Sequence, residues 1–120
     1  MAVRAIRGAI TINNNDSSEI IEETKKLLNE VIKINKIDTD DIISVIFSVT
    51  RDLNAAFPAV AARQMGWNDI ALLCTNEIDV PGSLEKCIRI MMHINSNKKN
   101  DEIKHVYMNE AKKLRPDLKD

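Results

Sequence analysis

The pattern of hydrophobic positions predicts a strand at the amino-terminal end of the chain. Residues 2–12, AVRAIRGAITI, are rich in β-branched side chains and lack polar breakers, which is typical of a β-strand. Alternation places Arg7 on one face of this strand. The other side chains on that face are small or apolar: Val3, Ala5 and Ala9.

A long amphipathic helix is predicted next. Asp16, with Glu19 three residues later, forms a typical helix start. The apolar positions that follow recur at helical spacing and would form one buried stripe: Ile20, Ile21, Leu27, Leu28, Val31 and Ile32.

The run IISVIFSV at Ile42–Val49 predicts a strand that is apolar on both alternating faces. The long helix can cover one face of a sheet of this size. We therefore expect a partner subunit to cover the other face, so that the sequence itself indicates an oligomer.

The remaining elements are shorter. Pro58 and Gly66 flank an alanine-rich centre and predict a short helix between them. The run IALLC predicts a strand that ends at Cys74, and alternation predicts another strand at residues 86–95, KCIRIMMHIN. The tail is expected to contain an edge strand near residues 105–108 and a short helical turn before Arg115.

Composition indicates an ordinary globular domain. The 120 residues fit one domain, 1–120, and the 17 basic against 18 acidic side chains give a net charge of -1, so nucleic acid is not an expected partner. No run approaches the roughly 18 apolar residues of a membrane helix, and Arg4 and Arg7 interrupt the first apolar stretch, unlike a secretory signal. Cys74 and Cys87 form no CxxC motif or disulfide framework, which favours a cytoplasmic, reducing location.

Nucleotide and metal sites are not expected. The three glycines, Gly8, Gly66 and Gly82, are too scattered for a phosphate-binding loop. His93 and His105 lie on different segments without a second ligand at metal spacing, so they are interpreted as surface or core histidines. We therefore expect no cofactor and no metal.

Arginines within apolar strands are the informative residues. Arg89 lies two residues from both Cys87 and Met91, and a guanidinium removed from water is costly unless it contacts an anion. The anion could be an internal carboxylate or a bound ligand, and the spacing alone fits both. Arg7 repeats the pattern on another strand, which favours a site for a dicarboxylate. Arg4 lies nearer the strand end and fits an exposed position.

Several motifs together resemble a known enzyme family. They are IRGAITI with Arg7, DLNAAFPAVAAR at 52–63, GW at 66–67, CTNEIDVPGSLEKCIRIMM at 74–92 and HVYMNEAKKLRPDL at 105–118. Their order and spacing resemble the homotrimeric, pseudo-α/β-barrel chorismate mutases, which rearrange chorismate to prephenate in the biosynthesis of phenylalanine and tyrosine. This resemblance spans nearly the whole chain.

The resemblance implies an α+β fold: a mixed five-stranded sheet with one long helix and short helices, three copies of which form a pseudo-α/β barrel. It also implies three active sites in clefts between subunits. In the reaction, Arg89 would contact the ether oxygen and a carboxylate of the substrate, Glu77 would bind the ring hydroxyl, and Cys74 would lie beside that hydroxyl.

The remaining site residues implied by the resemblance bind or enclose the substrate. Arg7 and Tyr107 would contact carboxylates, Phe57 and Arg63 would form another wall, and Leu114 and Arg115 would help to close the pocket. Arg7, Arg89 and Tyr107 would belong to one subunit, and Phe57, Arg63 and Cys74 to its neighbour.

Two positions depart from the family pattern. Val60 stands where a lysine is common, which would weaken substrate capture, and Arg51 stands where a proline is common and would partly compensate if it points to the cleft. Two other functions remain open on spacing and composition alone. One is a trimeric imine or enamine hydrolase, and the other is a non-catalytic sensor of a carboxylate metabolite.

Overall fold

Five strands form one mixed sheet in the computed structural model, which describes residues 2–114. The strands are β1 (Ala2–Thr11), β2 (Ile42–Val49), β3 (Ala71–Asn76), β4 (Cys87–Ser96) and β5 (Val106–Met108). Their order across the sheet is β3-β2-β4-β1-β5. β4 pairs antiparallel with β1 and β2, whereas β5 pairs parallel with β1 and β3 pairs parallel with β2. The expected α+β fold with a mixed five-stranded sheet is confirmed.

The long helix α1 (Ser17–Asn35) begins at the predicted residue. The Asp16 side chain accepts a hydrogen bond from the Glu19 amide at 3.0 Å, and the Glu19 carboxylate accepts one from the Asn13 amide at 2.7 Å. The first bond satisfies an amide of the first turn that would lack a helical partner, and the second ties the preceding turn to the helix start. Among the helices of residues 2–114, none is long and apolar enough to cross a membrane.

Helix α1 packs on one face of the sheet and forms the main core with it. Leu27, Leu28 and Val31 of the helix are fully buried, as are Phe47 and Ile88 of the sheet. Gly8 of β1 lies at the contact. A Cβ atom at this position would lie 3.1 Å from Ile90 Cγ1 and 3.2 Å from Leu27 Cδ1, so the missing side chain allows the helix to approach the sheet closely.

Shorter helices connect the strands. α2 (Ala59–Gln64) follows Pro58 and precedes Gly66, which has a φ of +88°, so the predicted short helix is confirmed. The 3-10 helices lie at Thr39–Asp41, Asn100–Glu102 and Asn109–Leu114, the last where a helical turn was expected.

Some strand ends differ from the prediction, because pairing and backbone geometry determine them. β3 extends two residues beyond Cys74, since it pairs with β2 as far as Val49 and Asn76. β4 begins at Cys87 and not at Lys86, whose φ of 48° is incompatible with a strand.

The sheet face opposite α1 is here called the open face. By strand pairing it carries the side chains of Arg7 on β1, Arg89 on β4 and Ile46 on β2. Ile46 is 36% exposed and Leu73 is 61% exposed, so the described elements leave them uncovered. β2 was predicted to be apolar on both faces, but Ser44 and Ser48 lie on its open face. Ser44 hydrogen-bonds with His93, and Ser48 hydrogen-bonds with Glu77. The open face therefore mixes apolar surface with paired polar groups.

We predict that Gly8→Val destabilises the fold, because the added side chain would collide with Ile90 and Leu27. Overpacking of this kind lowers the free energy of unfolding by about 1–3 kcal/mol. Urea unfolding at one fixed protein concentration measures the change. Ala2→Val, at the exposed start of the same strand, is the matched control and should change stability by less than about 0.5 kcal/mol. Equal midpoints for the two variants would show that the contact at Gly8 is not tight.

Candidate active site

Arg89 and Glu77 form an ion pair on the open face. Arg89 Nε lies 3.2 Å from Glu77 Oε1, and the two side chains are only 28% and 24% exposed. Glu77 follows the end of β3, where its amide donates a hydrogen bond to the Val49 carbonyl at 2.9 Å. Its second oxygen, Oε2, accepts a hydrogen bond from the Ser48 hydroxyl, and Ser48 pairs directly with Arg89 across the sheet. Strand pairing thus holds the carboxylate beside the guanidinium.

Of the two anions that the position of Arg89 in an apolar strand allowed, the structure shows the internal carboxylate. Glu77 is the internal carboxylate partner. However, Arg89 Nε is buried and makes no hydrogen bond of acceptable geometry within residues 2–114, although the ion-pair distance is short. A buried donor without an acceptor is costly, so this part of the guanidinium is suited to a further acceptor.

Tyr107 is placed near Arg89 by the register of three neighbouring strands. Ala9 of β1 pairs with Arg89 on β4 and with Tyr107 on β5, so the three residues form one row across the sheet. Because adjacent strands are roughly 4.8 Å apart, the row spans about 10 Å. Tyr107 is 8% exposed, and its hydroxyl is buried with no hydrogen-bond partner in the described chain.

Arg7 lies on the same face, two residues before Ala9 on β1, where it pairs with Met91. Its side chain is on the side of the sheet that carries Arg89, and the residue is half-buried. The register therefore gathers Arg7, Arg89 and Tyr107 on neighbouring strands, with Glu77 at the margin. Two cations and one hydroxyl facing the same way are suited to an anionic ligand with more than one carboxylate.

A small apolar cluster covers one end of this group. It consists of Ala9, Cys87, Tyr107 and Ala111, with Leu84 and Leu114 packed against it. Burial raises the pKa of the Cys87 thiol above its ordinary value, although the nearby Arg89 guanidinium acts in the opposite direction. Cys87 is therefore a neutral thiol near neutral pH and does not compete with Glu77 for the cation. Leu114 packs against the cluster that contains Tyr107. Arg115 lies outside the described residues.

The other predicted site residues lie elsewhere on the chain. Phe57 and Cys74 line a separate cavity of about 370 Å³ between the segment before α2 and the end of β3. Phe57 is 68% exposed, while Cys74 pairs with the core residue Phe47 and packs partly against the main core. Arg63 is exposed on α2. One chain thus contains two groups of candidate residues, with Arg89 in the first and Cys74 in the second.

The two departures from the family pattern also fall on different groups. Val60 is half-buried on α2, next to the group of Phe57 and Cys74. Arg51 is exposed and lines a cavity of about 240 Å³ together with Glu77 and the loop 78–85. Arg51 is therefore on the Glu77 side of the chain and not beside Val60.

Sequence reasoning missed Ser48, which hydrogen-bonds with Glu77. The available signal was a hydroxyl residue inside an apolar run, which Ser44 shares, and the significance of Ser48 depends on its pairing with Arg89, a property of the sheet. Within residues 2–114, no three His, Cys, Asp or Glu side chains converge to a possible metal site.

Comparisons with known proteins identify the family of the chain. The family described as chorismate mutase type I matches residues 3–118. The chain is 42% identical over 119 residues to "Chorismate mutase AroH" of Bacillus subtilis (strain 168), covering 98% of this chain and 94% of that protein. It is 44% identical over 117 residues to "Chorismate mutase AroH" of Thermus thermophilus, covering 97% and 96%.

A solved structure gives the same result for the fold. "Chorismate mutase from Clostridium thermocellum Cth-682" superposes with a TM-score of 0.90 and is 63% identical, covering 92% of this chain and 98% of that one. In the present chain, strand register and an ion pair bring two arginines, a tyrosine and a glutamate to one face of this fold. The matches establish that the chain belongs to the chorismate mutase type I family, the isomerases of aromatic amino acid biosynthesis.

Proposed function

We propose that this chorismate mutase rearranges chorismate to prephenate in clefts shared between the subunits of a homotrimer. The observation that carries the proposal is the pair of buried donors on the open face, Arg89 Nε and the Tyr107 hydroxyl, which make no hydrogen bond of acceptable geometry within residues 2–114. A substrate with two carboxylates and an ether oxygen supplies acceptors of the kind these donors require.

Arg89 is the principal catalytic residue of this proposal. In the rearrangement the ether C–O bond breaks as a C–C bond forms within one molecule, and negative charge grows on the ether oxygen. A guanidinium already held by Glu77 can stabilise that charge without reorganising. No proton transfer and no nucleophile is required, so the site works by orientation and electrostatics.

Glu77 and Cys74 bind the ring hydroxyl of the substrate. The Glu77 carboxylate is an acceptor for that hydroxyl, and Ser48 keeps it in place. Cys74 lies beside the hydroxyl from the neighbouring chain. The half-buried position of Cys74 on the cavity that Phe57 also lines is compatible with this role.

Arg7 and Tyr107 bind the carboxylates of chorismate. A bidentate guanidinium fixes a planar carboxylate in one orientation, which favours the compact, chair-like geometry that the reaction needs. Phe57 and Arg63 form the opposite wall, and Leu114 and Arg115 close the pocket. The contact of Leu114 with the Tyr107 cluster supports its part in this closure.

The division of the site between chains follows from the separation of the two residue groups. Arg7, Arg89 and Tyr107 share the open face, and Glu77 joins them through its ion pair with Arg89. Phe57 lies just before α2, Arg63 on α2 and Cys74 within β3, so a second copy would present them to the first group. The exposed Ile46 and Leu73 supply apolar surface for such an assembly. Closed threefold rings join two different surfaces of the same chain in this way.

Arg51 contributes to substrate capture in this arrangement. It lines a cavity with Glu77, and no hydrogen bond or ion pair to another described residue engages its guanidinium. A cation at the cleft partly replaces the charge that Val60 lacks, because it attracts a dianionic substrate from a distance.

We also assign the enzyme to the cytoplasm, which fits its free cysteines, Cys74 and Cys87.

An imine or enamine hydrolase and a carboxylate sensor remain the alternatives to this activity, and the family match does not favour them. A purified sample separates the three. The chorismate mutase consumes chorismate, and the ultraviolet absorbance of the substrate falls as prephenate forms. A hydrolase would leave chorismate unchanged, and a sensor would bind it tightly without turnover.

We predict that Arg89→Lys lowers kcat far more than it raises KM. Lysine keeps the charge but loses the planar, oriented donors, and losing one oriented donor to a developing charge costs on the order of 100- to 1000-fold in kcat. Steady-state kinetics with chorismate measures both constants. An unchanged kcat would remove Arg89 from the reacting centre.

The pH–rate profile should be flat through neutrality, with little solvent deuterium isotope effect. No proton moves in the chemical step, and arginine does not titrate in this range. Initial rates in H₂O and D₂O across neutral pH test this. A steep change near pH 7 that disappears in a Glu77 or Cys74 variant would indicate acid–base chemistry and favour the hydrolase.

Two inactive chains should restore activity when they assemble together. In equal mixtures of Arg89→Ala and Cys74→Asp chains, about a quarter of the clefts receive an intact group from each chain. Activity should therefore rise toward about a quarter of the wild-type value, with each variant inactive alone. Co-expression, kinetics and native mass spectrometry provide the measurement.

The matched control for this mixture is Arg89→Ala with Glu77→Ala. Both changes fall in the same residue group, so every cleft in this mixture has a damaged half and should stay inactive. If mass spectrometry shows mixed trimers of the first pair that remain inactive, the residues do not divide between chains as proposed.

A further inference from the structure

Arg7 pairs with Met91 of β4, but its amide donates to a side chain and not to a carbonyl of β5. The parallel ladder between β1 and β5 pairs Gly8 with Val106 and Ala9 with Tyr107, and it stops one residue short of Arg7. At that point the Arg7 amide donates a hydrogen bond to His105 Nδ1 at 2.9 Å. The imidazole of His105 thus occupies the place of a strand carbonyl, as a half-buried amide requires.

The hydrogen bond defines the state of the ring. Because the Arg7 amide is a donor, His105 Nδ1 must carry a lone pair, and the proton of the neutral imidazole is on Nε2. A side chain without an acceptor at the δ position cannot make this bond.

The segment that carries His105 is fixed from the other side as well. The buried Asn35 side chain, at the end of α1, donates from Nδ2 to the Lys104 carbonyl at 2.9 Å, and its Oδ1 accepts from the Lys104 amide at 2.9 Å. Asn35 is 2% exposed. Hydrogen bonds therefore join the end of α1 to Lys104 and the Arg7 peptide to His105, the next residue of the same segment.

We infer that His105 is a positioning residue: it fixes the Arg7 peptide on β1 and thereby sets where the Arg7 guanidinium lies on the open face. This inference rests on the proposed role of Arg7 in binding a substrate carboxylate. A bidentate contact depends on orientation, so a small shift of the peptide changes the contact. His105 itself does not touch the substrate.

Replacing His105 by Leu or Asn provides a matched pair, because the two side chains have the same shape and differ in polarity. Asn places an acceptor oxygen at the δ position and can accept the Arg7 amide hydrogen bond, whereas Leu cannot. His105→Leu should raise KM for chorismate by about tenfold, the size expected for one lost hydrogen bond. kcat should change less, because a carboxylate contact acts in both the ground state and the transition state. His105→Asn should stay within about twofold of wild type.

The same substitutions in an Arg7→Ala background test whether His105 affects KM through the Arg7 guanidinium. Without the guanidinium there is nothing to position, so His105→Leu should raise KM no further in that background. Hydrogen exchange of the Arg7 amide should accelerate in the Leu variant and remain slow in the Asn variant. If the Leu variant does not fold, His105→Gln replaces it, because its acceptor lies one carbon farther along the side chain.

The outcomes distinguish this inference from the proposed function. Equal KM values for the Leu and Asn variants, while Arg7→Ala still raises KM, would overturn the positioning role alone. A further rise in KM on adding His105→Leu to Arg7→Ala would do the same. An unchanged KM in Arg7→Ala would overturn the carboxylate contact of Arg7 and this inference with it.

Discussion

The arrangement of the site depends on the ion pair between Arg89 and Glu77. A guanidinium in the middle of an apolar strand loses much of its hydration, and the attraction of a nearby carboxylate roughly offsets that loss. A pair like this contributes little net stability, so stability alone does not explain a cation at this position. Its value is orientation: Glu77 and the register of β4 hold the guanidinium, while the buried Nε makes no well-aligned hydrogen bond to the described residues.

The two faces of the sheet have different tasks. One face packs against α1 with a continuous apolar core, in which even a Cβ on Gly8 would be crowded. This packing makes the strand register rigid. The open face uses that rigid register to carry Arg7, Arg89 and Tyr107 on three neighbouring strands. The core thus determines the geometry of the open face, although the two share few side chains.

Local signals in the sequence were sufficient for much of the fold. The cap at Asp16 and the stripe of α1 predict the helix, and alternation predicts β1 and β4 to within about one residue. Arg89 could also be singled out, because a charged residue inside an apolar run is unusual. Strand ends were less predictable, since pairing between distant segments sets them, as at the end of β3.

Contacts between distant segments could not be predicted from local patterns. The strand order brings Ser48 beside Arg89, and the folded sheet places Glu77 within reach of both. His105 was interpreted as a surface or core histidine for want of a second metal ligand, and its actual partner, the Arg7 amide, is a backbone group that no side-chain pattern reveals. The roles of Glu77, Cys74 and Phe57 toward a substrate came from the family resemblance. Spacing alone did not supply them.

In the proposed trimer, one chain contains only part of an active site. Specific activity measured over a dilution series, with low concentrations of urea if needed, tests it most directly when analytical ultracentrifugation follows the state of assembly and circular dichroism follows the fold. Activity per chain is expected to fall in parallel with the loss of trimers while the chains remain folded. Folded monomers that rearrange chorismate at the full rate would contradict it.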